Sequence, residues 1–238
     1  MATRAIGEME ADPAGVFRGR GWLAAADPGL RARVLAAGRL REVARGERIW
    51  SAGDPPGGVC GVISGGIGVE GSSAWHSPRP GHVFRAGDWF GHGPVLAGGG
   101  RVMGFVALEE SRLLTVPLAT LRGMMDADPE IARLVGAMAN RATILGNMVA
   151  CDLLIPEAPR RIAAVLLRVT AALDGVEADD PRGFCLTQAV LGEMANASRH
   201  HVNRVLGEFE REGWIAKSYN HVRVLDAGAL ADFAFSDD

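Results

Sequence analysis

Between Gly46 and Pro117 glycine and proline recur every few residues, which breaks up any long helix. Short apolar runs lie in the gaps: RIW at 48–50, GVCGVI at 58–63, IGVEG at 67–71, HVF at 82–84, MGFVAL at 103–108 and RLLTV at 112–116. Short strands joined by tight turns satisfy that texture, so this part is expected to be a β-roll or small barrel. No run is long or strictly alternating, and the pattern assigns no faces.

After Pro117 the texture reverses. Asp128 and Pro129 form a helix start, with the aspartate as cap and the proline in the first turn. Ile131, Val135, Met138, Ala142, Leu145 and Val149 then follow at spacings of 4, 3, 4, 3, 4, a heptad seam. Such a seam serves either a helix packed on its own roll or a two-stranded coiled coil between copies. The prolines of IPEAP (155–159) end it at a linker or hinge. Upstream, Pro28–Gly38 is expected to be a helix, and residues 1–20 a loose start.

A third pattern follows the amphipathic stretch RRIAAVLLRVTAAL. In LTQAVLGEMANASRHHVNRVLGEFEREGWI, Thr187 caps a first helix and Ser198 a second. Gly192 is small where two helices must cross, and Asn196 tolerates the left-handed backbone of a corner. Val202, Val205, Leu206 and Phe209 form a buried stripe, leaving Arg199, His200, Asn203 and Arg204 on the opposite face. WIAKSYNHVRVL then reads as a two-stranded wing. A polar, basic second helix fits the DNA major groove, and arginines there can hold guanine O6 and N7 bidentately.

Bulk properties set limits. A 238-residue chain that is 48% hydrophobic can bury a real core. Its formal net charge of −3 gives no global pull toward nucleic acid, so a DNA face must be built by placement. Cys60, Cys151 and Cys185 are far apart and form no zinc pattern; with no secretory or membrane-spanning stretch, a reduced cytoplasmic protein is expected.

The stretch 187–215 resembles the DNA-binding end of the Crp/Fnr family of bacterial transcription regulators, whose recognition helix begins Ser-Arg and continues Val-x-Arg-x-Leu. Residues 45–69, 86–96 and 106–121 resemble that family's cyclic-nucleotide-binding fold. The likeness spans about residues 22–235. It implies an α+β chain: a cyclic-nucleotide-binding-like sensor roll (1–125), a dimerisation helix (126–155) and a winged helix-turn-helix domain (156–238). The seam Ile131, Val135, Met138, Ala142, Leu145 and Val149 takes the role of homodimer interface. Arg199, His200, Asn203 and Arg204 take base reading. Thr187, Ser198, His201, Lys217, Asn220 and His221 take phosphate contacts. The partners implied are palindromic double-stranded DNA, a second copy and RNA polymerase, with no membrane. His200 stands where the family has a glutamate, which changes the half-site preference at that base.

The family's nucleotide pocket maps onto Gly91, His92, Arg101, Val102 and Leu145. Phe90, Gly91 and Arg101 match. His92 replaces the glutamate that accepts the ribose hydroxyl, Val102 replaces a hydroxyl residue, and Leu145 and Gly146 stand near the purine side. Cyclic AMP is therefore not the expected effector, and no cofactor is named. His76, His82 and His92 leave haem or metal as a minor option. The rival reading is a small-ligand-binding or cupin-like protein, enzymatic or not, whose hairpin does not touch DNA. No catalytic residues and no metal site are expected.

Overall fold

A computed structural model describes residues 13–73 and 76–236, with the side chains of 72–77 excepted. The elements run α1 (Pro13–Gly19), α2 (Pro28–Ala36), β1 (Arg39–Val43), β2 (Arg48–Trp50), β3 (Gly58–Ser64), β4 (Ile67–Ser73), β5 (His76–Phe84), β6 (Trp89–Phe90), α3 (Gly93–Ala97), β7 (Met103–Ala107) and β8 (Ser111–Pro117). Then come α4 (Leu118–Ala127), α5 (Pro129–Leu154), α6 (Ala158–Thr170), β9 (Phe184–Cys185), α7 (Gln188–Met194), α8 (Arg199–Arg211), β10 (Ile215–Ser218), β11 (His221–Val224) and α9 (Ala227–Phe235).

Each of the six apolar runs becomes a strand. With β1 and β6 they form two antiparallel four-stranded sheets, ordered β1-β8-β3-β6 and β2-β7-β4-β5. Val62, Ile67, Phe90, Phe105 and Leu113 fill the space between the sheets. The faces escape the sequence because β3 is buried on both sides. Val62 joins that inner core, whereas Val59 and Ile63 pack under α1, α2, α4 and the start of α5. The chain start is more ordered than expected: α1 buries Phe17 completely, against Trp89 at a ring distance of 4.8 Å. The rest of the expected loose start, residues 1–12, lies outside the described residues.

The Asp128 carboxylate accepts from the Glu130 amide (3.1 Å) and starts α5. Its 26 residues extend about 39 Å at 1.5 Å per residue. The heptad seam is divided along this helix, which corrects the expected interface. Ile131, Val135 and Met138 are buried inside the protomer, under the roll's helical layer, and cannot meet a second copy. Beyond Met138 the helix leaves the roll. Ala142, Leu145 and Val149 are half-buried, and the outward apolar residues are Ile144, Met148, Leu153 and Leu154, with Cys151 exposed between them. A strict 3.5-residue seam drifts about 20° per heptad on a straight 3.6-residue helix, so one face cannot serve both ends.

Past the prolines, α6, α7, α8, α9 and the sheet β10-β11-β9 close over Ile162, Leu166, Leu191, Val202, Val205, Phe209 and Ile215. Arg161 braces the linker. It donates to the Ile155 and Pro156 carbonyls on one side and to the Ala195 carbonyl (2.6 Å), at the α7–α8 corner, on the other.

Candidate nucleic-acid interface and effector pocket

The α7–α8 corner is built from local chemistry. Thr187 Oγ1 accepts from the Val190 amide and Ser198 Oγ from the His201 amide, each at 3.2 Å. Asn196 holds φ +47° between the helices. A Cβ on Gly192 would stand 2.6 Å from the Ala197 carbonyl oxygen, so only glycine permits this crossing. The crossing turns one face of α8 outward, with Arg199, His200, Asn203 and Arg204 exposed.

Charge is unevenly spread along α8. Arg199, His200, His201 and Arg204 occupy its first half, and Glu208, Glu210 and Arg211 its end, with Glu212 as the C-cap. The positive end of the helix dipole therefore coincides with the basic residues, which suits an anionic partner at the N-terminal half. The side chains differ in availability. Arg199 forms no ion pair among the described residues. Arg204 donates to Glu208 (2.8 Å), an exposed i,i+4 pair worth about 0.3–0.5 kcal/mol, so it is readily released. Asn203 Oδ1 accepts from Gln188 Nε2 (2.9 Å), which leaves its NH2 free to donate outward.

On the wing, Asn220 sits at the tip with φ +57°. Two wing residues expected at phosphates are already engaged within the protein. Lys217 pairs with Glu210 (3.2 Å) and lies back on α8. His221 donates through Nδ1 to the Tyr219 carbonyl (2.8 Å) and has a side chain 11% exposed. The side chain that the tip presents is Tyr219, 88% exposed, which the basic-residue pattern overlooks.

The glycine loop is arranged differently. Gly91 (φ +90°) lets Arg101 approach: a Cβ there would stand 2.8 Å from Arg101 Nη1. Arg101 Nη1 donates to the Gly91 carbonyl (2.6 Å) and Nη2 to the Gly58 carbonyl (2.7 Å). Its guanidinium lies 3.6 Å from the centre of the Trp50 ring, and the residue is 4% exposed. His92 stands beside it, its imidazole pKa lowered by burial and then by the Arg101 charge. The other two expected pocket residues are elsewhere, which corrects the grouping. Val102 points to solvent at 75% exposure, and Leu145 lines a separate cavity that does not include the loop. Trp50 was missed because it lies about fifty residues before Arg101 and no local spacing joins them.

Among the candidate histidines, His82 is buried and its Nδ1 accepts from Arg168 Nη1 (3.1 Å). The side chain of His76 lies outside the described residues. No helix among the described residues is long and apolar enough to cross a membrane.

A two-sheet roll joined by a long helix to a winged helix-turn-helix defines a type of DNA-binding transcription regulator. Residues 40–128 match the model of the cyclic nucleotide-binding domain, and residues 160–233 that of the Crp-like helix-turn-helix domain. The chain belongs to the Crp/Fnr family of transcription regulators. It is 26% identical over 220 residues to a CRP-like cAMP-activated global transcriptional regulator of Mycobacterium tuberculosis, covering 92% of this chain and 95% of that one. The fold is similar to FixK2 of Bradyrhizobium japonicum (TM-score 0.70, 17% identity, 84% and 99% of the two chains). It is also similar to the c-di-GMP responsive global regulator CLP of Xanthomonas campestris (TM-score 0.62, 19% identity, 83% and 99%).

Proposed function

We propose that this DNA-binding transcription regulator works in the cytoplasm as a homodimer, without catalytic activity, on a palindromic double-stranded site. Arg199 and Arg204 read guanines, and His200 and Asn203 read neighbouring bases. Ser198, Thr187 and His201 contact phosphates at the start of α8, and Asn220 and Tyr219 do so from the wing. The dimer seam is the outward strip Ile144, Met148, Cys151 and Leu154, one position round the helix from the heptad in the sequence. RNA polymerase is the partner through which a DNA-bound dimer of this kind acts. The exposed, basic first half of α8 carries this reading: its donors are free or held only by a weak pair, and they sit at the positive end of the helix.

We also propose that cyclic AMP is not the effector, in contrast to the Mycobacterium relative. The residues do not fit it. Arg101 is spent on two carbonyls and an indole, Val102 faces away, and His92 supplies no carboxylate for a ribose hydroxyl. An effector acts only through different affinities for two states, and a sealed cradle offers none.

Selection of bound duplexes from a random pool tests the first reading. A palindromic motif with half-sites about one helical turn apart is expected, and recovery of no motif sinks it. Sedimentation of Met148→Glu tests the seam: monomers are expected, and a persistent dimer places the interface elsewhere. Calorimetry with cyclic AMP tests the second reading. Micromolar binding with a gain in DNA affinity would overturn it.

A further inference from the structure

Past Met138, where α5 leaves the roll, the helix has an inward and an outward side. On the inward side Ala142, Leu145 and Val149 are half-buried and Asp152 is buried. On the outward side Asn140, Ile144, Asn147, Cys151 and Leu154 follow one another at spacings of 4, 3, 4 and 3, and all are exposed. A helix face bathed in water normally carries charge, as α8 does with Arg199, Arg204, Glu210 and Arg211. Among the described residues exposed between 136 and 154, Arg141 alone is charged. The outward side of α5 is therefore the kind of face that a partner covers.

Two amides interrupt that face. Asn140 and Asn147 stand one heptad apart, about 10.5 Å along the axis at 1.5 Å per residue, and differ in direction by only about 20°. Neither side chain has a hydrogen-bond partner among the described residues, whereas the neighbouring Thr143 Oγ1 donates to the Ala139 carbonyl (3.2 Å). An amide covered without a partner is destabilising, so whatever packs here must bring each asparagine both an acceptor and a donor. At a two-fold axis each residue meets its own copy. An arginine or a carboxylate would then face a like charge. An asparagine carries an Oδ1 acceptor and an Nδ2 donor and is its own complement.

We propose that Asn140 and Asn147 set the register of the homodimer, each pairing with its own copy across the two-fold axis. The partner is a second copy of this chain, because the asparagines lie in line with Ile144, Cys151 and Leu154 of the seam proposed above; the inference rests on that homodimer. Apolar side chains alone fix register poorly, since two helices slid by one heptad again bury apolar surface. A buried asparagine fixes it at some loss of stability. A slip of one heptad sets Asn147 against Leu154 and leaves its amide unpaired. Register matters beyond the seam. A slip moves one DNA-binding domain about 10.5 Å past the other, and the two α8 helices lose the two-fold relation that a palindromic site requires.

Cys151 reports the register, because it is exposed while Cys60 and Cys185 are buried. In a glutathione exchange buffer, parallel helices in line bring Cys151 to its own copy and form a disulfide-linked dimer. Antiparallel helices that pair Asn140 with Asn147 hold the two thiols about 22 Å apart along the axis. Leu154→Cys in a Cys151→Ser background repeats the reading one turn on, so that strain at one position does not decide it. The asparagines are tested in the full chain by combining Asn140→Leu with Asn147→Leu. Sedimentation should show association at least about tenfold tighter, with species larger than the dimer, and the disulfide-linked fraction should fall at least about twofold. Asn147→Asp sets like charges against each other and should weaken the dimer at least about tenfold. Wild-type dimers that link at neither cysteine position would overturn the pairing and leave the homodimer standing. So would a double-leucine variant that stays dimeric with an unchanged linked fraction. A wild-type chain that sediments as a monomer would overturn the homodimer, and the pairing with it.

Discussion

Two regions of this molecule carry arginines in positions that suggest a nucleic-acid or nucleotide phosphate partner, and the structure treats them in opposite ways. On α8, Arg199 and Arg204 stand on an exposed face, one without an ion pair among the described residues and the other in a weak surface pair. In the glycine loop, Arg101 is 4% exposed, bonded to two carbonyls and stacked on Trp50. The difference lies in competing acceptors. A helix keeps its own carbonyls in its ladder, so an outward arginine on α8 finds only side chains to bond. The loop at Gly91 leaves carbonyls unclaimed, and an arginine within reach is drawn onto them. Motif identity reports that an arginine is present; the neighbouring backbone decides whether it is available.

Crossed substitutions sharpen that contrast most. Arg199→Ala should weaken binding to the selected motif by about 1–3 kcal/mol per half-site, read by anisotropy at fixed salt. It should leave urea stability within about 0.5 kcal/mol, as at other surface positions. Arg101→Met should do the reverse. It strands the Gly91 and Gly58 carbonyls, for a loss of about 2–6 kcal/mol at roughly 1–3 per buried unpaired group, with little direct effect on DNA. Equal effects of the two variants on DNA affinity and on stability would break the comparison.

A smaller effect comes from the contact between the roll and the DNA-binding domain. Burial, then the charges of Arg168, Arg85 and Arg20, hold the His82 imidazole pKa well below its usual value. The folded pKa lies below the unfolded one, so the unfolded chain takes up the proton first. Stability is therefore complete above about pH 6.5 and falls as pH drops below it, by up to about 1.4 kcal/mol per pH unit. Thermal melts from pH 7.5 to 5 would show this slope, and His82→Gln should flatten it. A wild-type slope of zero would mean that His82 is not held neutral.

The smallest effect is expected on the wing. Lys217 is paired with Glu210, so Lys217→Gln should reduce DNA affinity less than Tyr219→Ala and barely change its salt dependence. A loss of about one unit of salt slope would show that Lys217 leaves Glu210 for a phosphate.

The features legible in the sequence are those whose causes are local. Six apolar runs between glycines became strands, Thr187, Ser198 and Asp128 became caps, and Asn196 and Gly192 made the corner, because each depends on residues within a few positions of itself. The same locality made α8 and its outward face readable. Only the tertiary structure decided that the front of the α5 seam is consumed by the protomer's own core, since the competitor for Ile131, Val135 and Met138 is a layer made by residues 17–34 and β3. It alone paired Arg101 with Trp50 and gathered Arg20, Trp22, Trp89 and Arg168 around one cavity. Those groups lie tens of residues apart, and a hydrogen bond is settled by distance in space, which no spacing along the chain encodes.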